Sequence, residues 1–205
     1  MLFAFALVAI LYTAQGKITK AVVVKEDRLL VPLDEPFGFG QGGRINISLE
    51  RFELRPLYDP TKKSVSNPDL HRMGVLITTP YGGILLEEEV TSKGICPLDS
   101  QEQITLVRFS EIDLQSKAVE RDYILSDLLE DYEGGEFMLY FANCEANTAV
   151  DFDITLSLYN QKGEKKDFLP VGMDTLPTLY FVRVFFLSFY FMYVFHLAIL
   201  MTYLR

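Results

Sequence analysis

The sequence predicts a mainly β protein, an antiparallel β-sandwich with a short helical insertion, followed by one transmembrane helix. Two observations lead to this prediction. Short runs of alternating apolar and polar residues recur between glycines and prolines, as expected for half-buried strands. Near the C-terminus, the run from Val184 to Leu204 is almost wholly apolar and aromatic, and as a helix it would measure about 31 Å, close to the hydrocarbon thickness of a bilayer.

The C-terminal run is assigned to the membrane because it lacks a polar face. A buried core helix of a soluble domain is the alternative, but such a helix normally keeps a solvated stripe. Only Ser188, His196 and Thr202 interrupt the apolar residues. We therefore expect residues 177–205 to cross the membrane. An ionisable group inside a span is costly and often functional, and here we expect His196 to pack against a neighbouring helix.

The N-terminus is predicted to be a signal peptide, residues 1–16. Leu2–Leu11 is apolar but too short to span a bilayer, and the small residues Ala14 and Gly16 follow it, as at a cleavage site. A basic residue is missing before the run, so a first buried strand is the alternative. Cleavage would place the chain from Lys17 to the membrane helix in the lumen.

The acidic composition excludes two classes of ligand. The formal net charge is −9 at pH 7. A surface of this charge repels nucleic acid and anionic lipid headgroups. A solvated acidic surface is the expected meaning.

Alternation places the strands. It is clearest in Val150–Tyr159, and Arg44–Leu54 shows the same period of two. Further strands are predicted at Ala21–Val24, Leu29–Leu33, Met73–Thr79, Ile84–Leu86, Ile104–Phe109 and Phe137–Phe141. Pro80–Gly83 is predicted to form a turn. The segment Asp113–Glu133 changes character, and its apolar spacing predicts short helical turns, which form the helical insertion.

The chain has two cysteines, Cys96 and Cys144. In an oxidising lumen an isolated pair most simply forms one disulfide; two free buried thiols are the alternative. A metal site is not expected, because His71 and His196 lie far apart in sequence and the Cys-x-x-Cys spacing is absent.

Three other motifs were weighed for chemistry. The glycine-rich stretch Phe37–Gly43 lacks the Lys-Ser/Thr of a phosphate-binding loop and is predicted to be a turn feeding a strand. The three glutamates Glu87–Glu89 are predicted to form a solvated edge. Asn46-Ile-Ser48 is a glycosylation sequon, with Asn46 on the outward side of its strand. We therefore expect no catalytic, cofactor-binding or metal-binding residues, and no cofactor.

Three stretches together resemble one known family: Phe137–Cys144, Asp151–Asn160, and Gly163–Gly172 running into Leu176–Phe181. In order and spacing they resemble the lung seven-transmembrane receptor family, and most closely its plant branch of candidate G-protein-coupled receptors. The residues that match are Tyr140, Asn143-Cys144, Tyr159-Asn160, Gly172 and Leu176-Pro177.

The resemblance implies an architecture and a role. Residues 17–160 would be a lumenal GOLD-like sandwich, 161–176 a linker, and 177–205 the first membrane helix. The family has seven helices, so the chain would be truncated after the first or be a one-helix form. The implied role is a Golgi or other endomembrane interaction domain in trafficking or signalling, with an unknown lumenal partner or cargo. G-protein coupling is implied only for a full-length form.

Two other functions were compared with this one. A single-span cargo receptor of the p24 type also joins a GOLD sandwich to one helix, but its coiled-coil stalk and coat-binding tail signals are not visible here. An enzyme of the secretory pathway is not expected. His71 lies in a polar loop, His196 lies in the span, and the carboxylates show no paired spacing.

Overall fold

The computed structural model describes residues 18–56, 68–113, 115–129, 132–173 and 176–203, and for a few residues, mostly in the C-terminal helix, it describes the backbone alone. The chain divides into two compact units, of which one is Gly16–Val171 and the other includes Gly172–Arg205. The predicted signal peptide lies outside the described residues. The first unit is longer than the predicted 17–160, because part of the expected linker folds with the sandwich.

The first unit is built from two antiparallel sheets. Within the described residues its strands are β1 (Ile18–Glu26), β2 (Leu30–Pro32), β3 (Phe37–Phe39), β4 (Gly43–Pro56), β5 (Met73–Thr78), β6 (Ile104–Arg108), β7 (Val119–Ile124), β8 (Gly135–Asn143), β9 (Thr148–Lys162) and β10 (Lys165–Asp167). The first sheet has the order β1-β9-β4-β7, with β10 also paired to β9. The second has the order β2-β8-β5-β6, with β3 also paired to β8. The predicted mainly β, antiparallel architecture is confirmed.

The two sheets enclose one apolar core, and the alternation of β4 and β9 explains it. Every second residue is buried from Ile45 to Leu49 and from Val150 to Leu158, and Ile47 lies opposite Leu156 in the register of the pair. Phe109 joins the sheets from a 3-10 turn, with its ring centroid 5.4 Å from those of both Phe141 and Phe152. Aromatic pairs of this kind contribute about 0.5–1.5 kcal/mol each beyond the area that they bury.

The first correction concerns residues 80–93. A turn followed by a strand was predicted there, but the structure has a helix, α1 (Pro80–Lys93). Thr79 caps it by accepting a hydrogen bond from the Gly82 N–H, and Pro80 fills the first turn, where its missing donor costs nothing. Gly94 ends the helix with φ 64°, the left-handed geometry of a C-terminal cap.

The second correction concerns Asp113–Glu133. Most of its apolar residues were assigned to helical turns, but Val119–Ile124 is strand β7, and only Leu125–Leu128 forms a short helix, α2. β7 lies at the edge of its sheet and pairs on one side with β4. Its charged residues face solvent, so the run lacks the apolar alternation of the central strands.

The second unit contains α3 (Leu176–Tyr203), a helix of 28 residues. The predicted helix is therefore present, and the large apolar side chains described in it are mostly exposed. Judged over the residues that are described, no helix of the structure is long and apolar enough to cross a membrane. The transmembrane part of the prediction is thus not confirmed.

Candidate interaction surface

The predicted disulfide is present. Cys96 and Cys144 are bonded, with their Cα atoms 5.6 Å apart and a sequence separation of 48. Cys96 follows α1, and Cys144 follows the last residue of β8. The bond therefore fastens the loop after the helix to the end of a central strand of the second sheet. A disulfide of this kind typically contributes about 2–4 kcal/mol to stability.

The disulfide belongs to a second, smaller apolar cluster on the outer side of the second sheet. Residues of β5 and β8 alternate between the two clusters: Leu139 faces the main core, whereas Leu76 and Tyr140 face outward. Leu86 of α1 packs on this outer side and is fully buried. The members of the second cluster are Leu76, Leu86, Cys96, Leu98, Tyr140 and Ala142. The helix thus covers an apolar surface that would otherwise face water.

Two glycines let the first turn of α1 lie directly on the sheet. A Cβ atom at Gly82 would be 2.2 Å from Thr78 Oγ1, and one at Gly83 would be 2.5 Å from the hydroxyl oxygen of Tyr140. Contacts this short do not occur at real Cβ atoms, so larger residues would push the helix away. Consecutive glycines weaken a helix, and the close packing on the sheet explains why they are kept here.

The predicted solvated edge Glu87–Glu89 lies instead on α1, where the helix gives the glutamates different environments. Glu89 accepts a hydrogen bond from Ser100 Oγ at 2.7 Å and pairs with Lys93 at 3.3 Å. These two bonds, the one from Ser100 first, lower the pKa of the Glu89 carboxyl. Glu87 and Glu88 are exposed.

Four residues form what we call the α1 surface: Tyr81, Ile84, Glu87 and Glu88. Tyr81 is 69 % exposed and Ile84 is 64 % exposed. Spacings of three and four residues place the four side chains on one side of the helix. An apolar pair therefore lies beside two carboxylates, on a helix that is fastened by packing, by glycine contacts and by a disulfide.

The outer face of the first sheet is polar along β4, β7 and β9, whereas β1 exposes apolar side chains there. Asn46 lies between Ser157 of β9 and Asp122 of β7 and is half-buried. Farther along, Arg51 pairs with Asp153, and Arg55 pairs with Asp151. The outward direction predicted for the sequon asparagine agrees with this position, and its glycosylation stays a prediction.

The remaining predicted features are not brought together. His71 is exposed in a 3-10 turn of the first unit, and His196 lies on α3 in the second. In the part of the chain that is described, no group of three or more His, Cys, Asp or Glu side chains is placed to hold a metal ion. The glycine-rich stretch Phe37–Gly43 was predicted to be a turn feeding a strand; its first three residues form strand β3 instead, and the rest turns into β4.

The structural role of Asn160 was missed by the sequence reasoning, which named this residue only as part of the family resemblance. Asn160 is 4 % exposed, and its carboxamide bonds with the backbone of Gly38, Gly40 and Leu169. Its place at the end of the best predicted strand was visible in the sequence. Its partners were not, because Gly38 on β3 and Gly40 in the turn after it are distant in sequence.

One comparison with known proteins identifies a relationship. A family model described as "CAND6/7, N-terminal domain" matches residues 20–160, more than half of the chain. No solved structure matches the chain. The matched region begins in β1 and ends at Asn160, so it covers nearly all of the sandwich.

Proposed function

The chain belongs to the CAND6/7 family, and we propose that its sandwich is a lumenal protein-interaction domain of a receptor-like endomembrane protein that serves trafficking or signalling. The family match supports the receptor-like assignment at a coarse level. The domain binds a partner, on this proposal, and does not catalyse a reaction.

The α1 surface is the observation on which the proposal rests. Exposed aromatic and aliphatic side chains on a rigid element are typical anchors of protein–protein interfaces. Tyr81 and Ile84 sit on a helix whose first turn is held by glycine contacts and whose following loop is held by the disulfide. Because the helix is already ordered, binding a partner costs little further loss of conformational freedom.

The charges of this surface indicate the chemistry of the partner. Glu87 and Glu88 lie beside the apolar pair, and the protein as a whole is acidic, with a formal net charge of −9. Opposite charges across an interface speed association and exclude wrong partners. The partner proposed here is a lumenal protein that offers an apolar side chain together with lysine or arginine.

The compartment is supported by the disulfide, since such bonds persist in oxidising lumens and are rare in the cytosol. We place the protein in the Golgi or another endomembrane, with α3 as its membrane attachment. The sequence supports that attachment, because the described part of α3 carries Phe186, Phe191 and other large apolar side chains in exposed positions.

Native electrophoresis of the full chain from mild detergent tests this function. We expect a complex larger than the single chain, which the double substitution Tyr81→Ala, Ile84→Ala disperses. Val22→Ala is the matched control, because Val22 is equally exposed but lies on β1. A complex that survives the double substitution, or that Val22→Ala also disperses, would contradict the use of the α1 surface.

A further inference from the structure

The chain leaves the sandwich through a short segment folded back on it. After β9 it turns at Gly163, which has φ 64°, and returns as β10, whose three residues pair with the end of β9. The path then continues to Val171, the last residue of the first unit. We call residues 165–171 the strap. It lies beyond the region that matches the family model, which ends at residue 160.

Asn160 joins the strap to the rest of the domain. Its Oδ1 accepts a hydrogen bond from the Gly40 N–H at 2.7 Å, and its Nδ2 donates to the carbonyls of Gly38 and Leu169, both at 3.3 Å. The buried side chain of Asn160 thus bonds both with the glycine-rich stretch and with the strap. Because β3 belongs to the second sheet and β9 to the first, these bonds also connect the two sheets.

The strap packs closely against β3, in the glycine-rich stretch Phe37–Gly43. The Val171 N–H donates to the Gly38 carbonyl at 2.9 Å. A Cβ atom at Gly38 would lie 3.2 Å from the Val171 nitrogen, closer than most Cβ contacts. On the other side, the ring of Phe168 packs on that of Tyr159, with centroids 5.5 Å apart.

The remaining interactions of the strap are near the surface: Lys166 lies over the ring of Tyr159 at 4.6 Å, and Asp167 pairs with Lys162 at 4.0 Å. Val171 is 60 % exposed, Phe168 is half-buried, and Pro170 has no N–H to donate. Segments with few buried apolar contacts and short pairing open at lower free energy than the core strands beside them. Each lost hydrogen bond of this kind shifts the opening equilibrium by about two- to tenfold.

We propose that the strap is a latch, which detaches from the sandwich while both sheets stay folded, and that Asn160 is the residue that keeps it closed. When closed, it fixes the point at which the chain leaves the domain. When open, it frees the residues of the strap, which fully extended would span about 25 Å.

Hydrogen exchange of the full chain in detergent, read by mass spectrometry, tests the latch. In the wild type we expect peptides covering 165–171 to exchange much faster than peptides from the centre of β9. Asn160→Ala should speed exchange of the strap about two- to tenfold, and leave the centre of β9 unchanged. Trypsin gives a second readout, since cleavage after Lys165 and Lys166 requires an open strap.

Asn143→Ala is the matched control. Asn143 is also buried, 2 % exposed, and its Nδ2 donates to a backbone carbonyl, that of Thr148, at 2.8 Å. Its loss should destabilise the domain without selectively opening the strap. Should Asn160→Ala fail to fold, Gly38→Ala replaces it, because the added methyl group would lie 3.2 Å from the Val171 nitrogen, which must then shift by a few tenths of an ångström, and the Asn160 side chain is left unchanged. Two results would overturn the proposal. One is hydrogen exchange of the strap at the same rate as that of the centre of β9 in the wild type. The other is an equal increase of exchange in both regions in Asn160→Ala or Gly38→Ala.

Discussion

The hydroxyl oxygen of Tyr140 lies 2.5 Å from where a Cβ atom at Gly83 would be. Gly83→Ala therefore brings two opposing effects. Alanine favours the helix by about 1 kcal/mol, whereas forcing a methyl group into a packed contact costs about 1–3 kcal/mol. We expect the steric cost to exceed the gain in helix propensity, so that Gly83→Ala lowers the free energy of unfolding.

The double variant Gly83→Ala, Tyr140→Phe isolates that contact. Removing the hydroxyl should restore much of the lost stability, because it relieves the shortest clash. Chemical denaturation of the four proteins of the cycle measures the coupling. Additive effects of the two substitutions would contradict the steric account of how α1 lies on the sheet.

The disulfide between Cys96 and Cys144 should dominate the stability of this side of the domain. We expect Cys96→Ser and Cys144→Ser each to lower the free energy of unfolding by about 2–4 kcal/mol. The double substitution should be no worse than either single one, because each already removes the same bond. We also expect retention of each variant in the endoplasmic reticulum. A double variant clearly less stable than both single variants would contradict this account.

Tyr132 predicts a dependence of stability on alkaline pH. Burial raises its pKa from the ordinary value of 10.0 to about 12. Its hydroxyl has no hydrogen-bond partner among the residues described. Between pH 10 and about pH 12, the Tyr132 phenol therefore stays neutral in the folded chain but ionises in the unfolded chain. Stability from this group is complete below pH 10 and is lost as the pH rises through about 12.

Tyr132→Phe should remove that loss. The full shift would correspond to about 2.7 kcal/mol, but the residue is only partly buried, so we expect about 1 kcal/mol after solvent screening. At neutral pH the variant should be as stable as the wild type or slightly more, since an unpaired hydroxyl disappears. Denaturation curves between pH 9 and pH 12 measure this. Tyr81→Phe on the exposed helix is the control, and an unchanged alkaline limb in Tyr132→Phe would refute the assignment.

The sequon predicts a modification on the face opposite to α1. We expect Asn46 to carry a glycan when the chain is made in a secretory pathway, because its strand passes through the lumen before it is buried. Treatment with an N-glycosidase should shift the mobility of the wild type but not that of Ser48→Ala, which keeps Asn46 and destroys the sequon. Absence of a shift would count against the site. A glycan there would cover the polar face of the first sheet and leave the α1 surface open.

Sequence reasoning predicted the features that depend on residue alternation and on composition. β4 and β9 were found because both are central strands with one face in the core. The cysteine pair was found because the chain has two cysteines, which allow a single pairing. These features depend on local pattern or on simple counting.

Features set by tertiary contacts were missed. Pro-Tyr-Gly-Gly at the start of α1 was interpreted as a turn, although Thr79 and Gly94 at its two ends carried ordinary capping signals. The helix survives its glycines because they meet Thr78 and Tyr140. β7 was mistaken for helical turns because an edge strand can expose most of its side chains. The buried linking role of Asn160 could not be predicted, since its bond to Gly40 spans 120 positions of sequence.

Photo-crosslinking from the α1 surface tests the central claim most directly. A benzophenone side chain would replace Ile84 in the full chain within its own membranes, and Ser157 on the first sheet would be the control position. We predict one discrete adduct from position 84 and none from position 157. The adduct should disappear when Glu87→Lys and Glu88→Lys reverse the charge beside it. An adduct from position 84 that survives the charge reversal, or equal adducts from both positions, would contradict an acidic and apolar α1 surface that binds a basic lumenal partner.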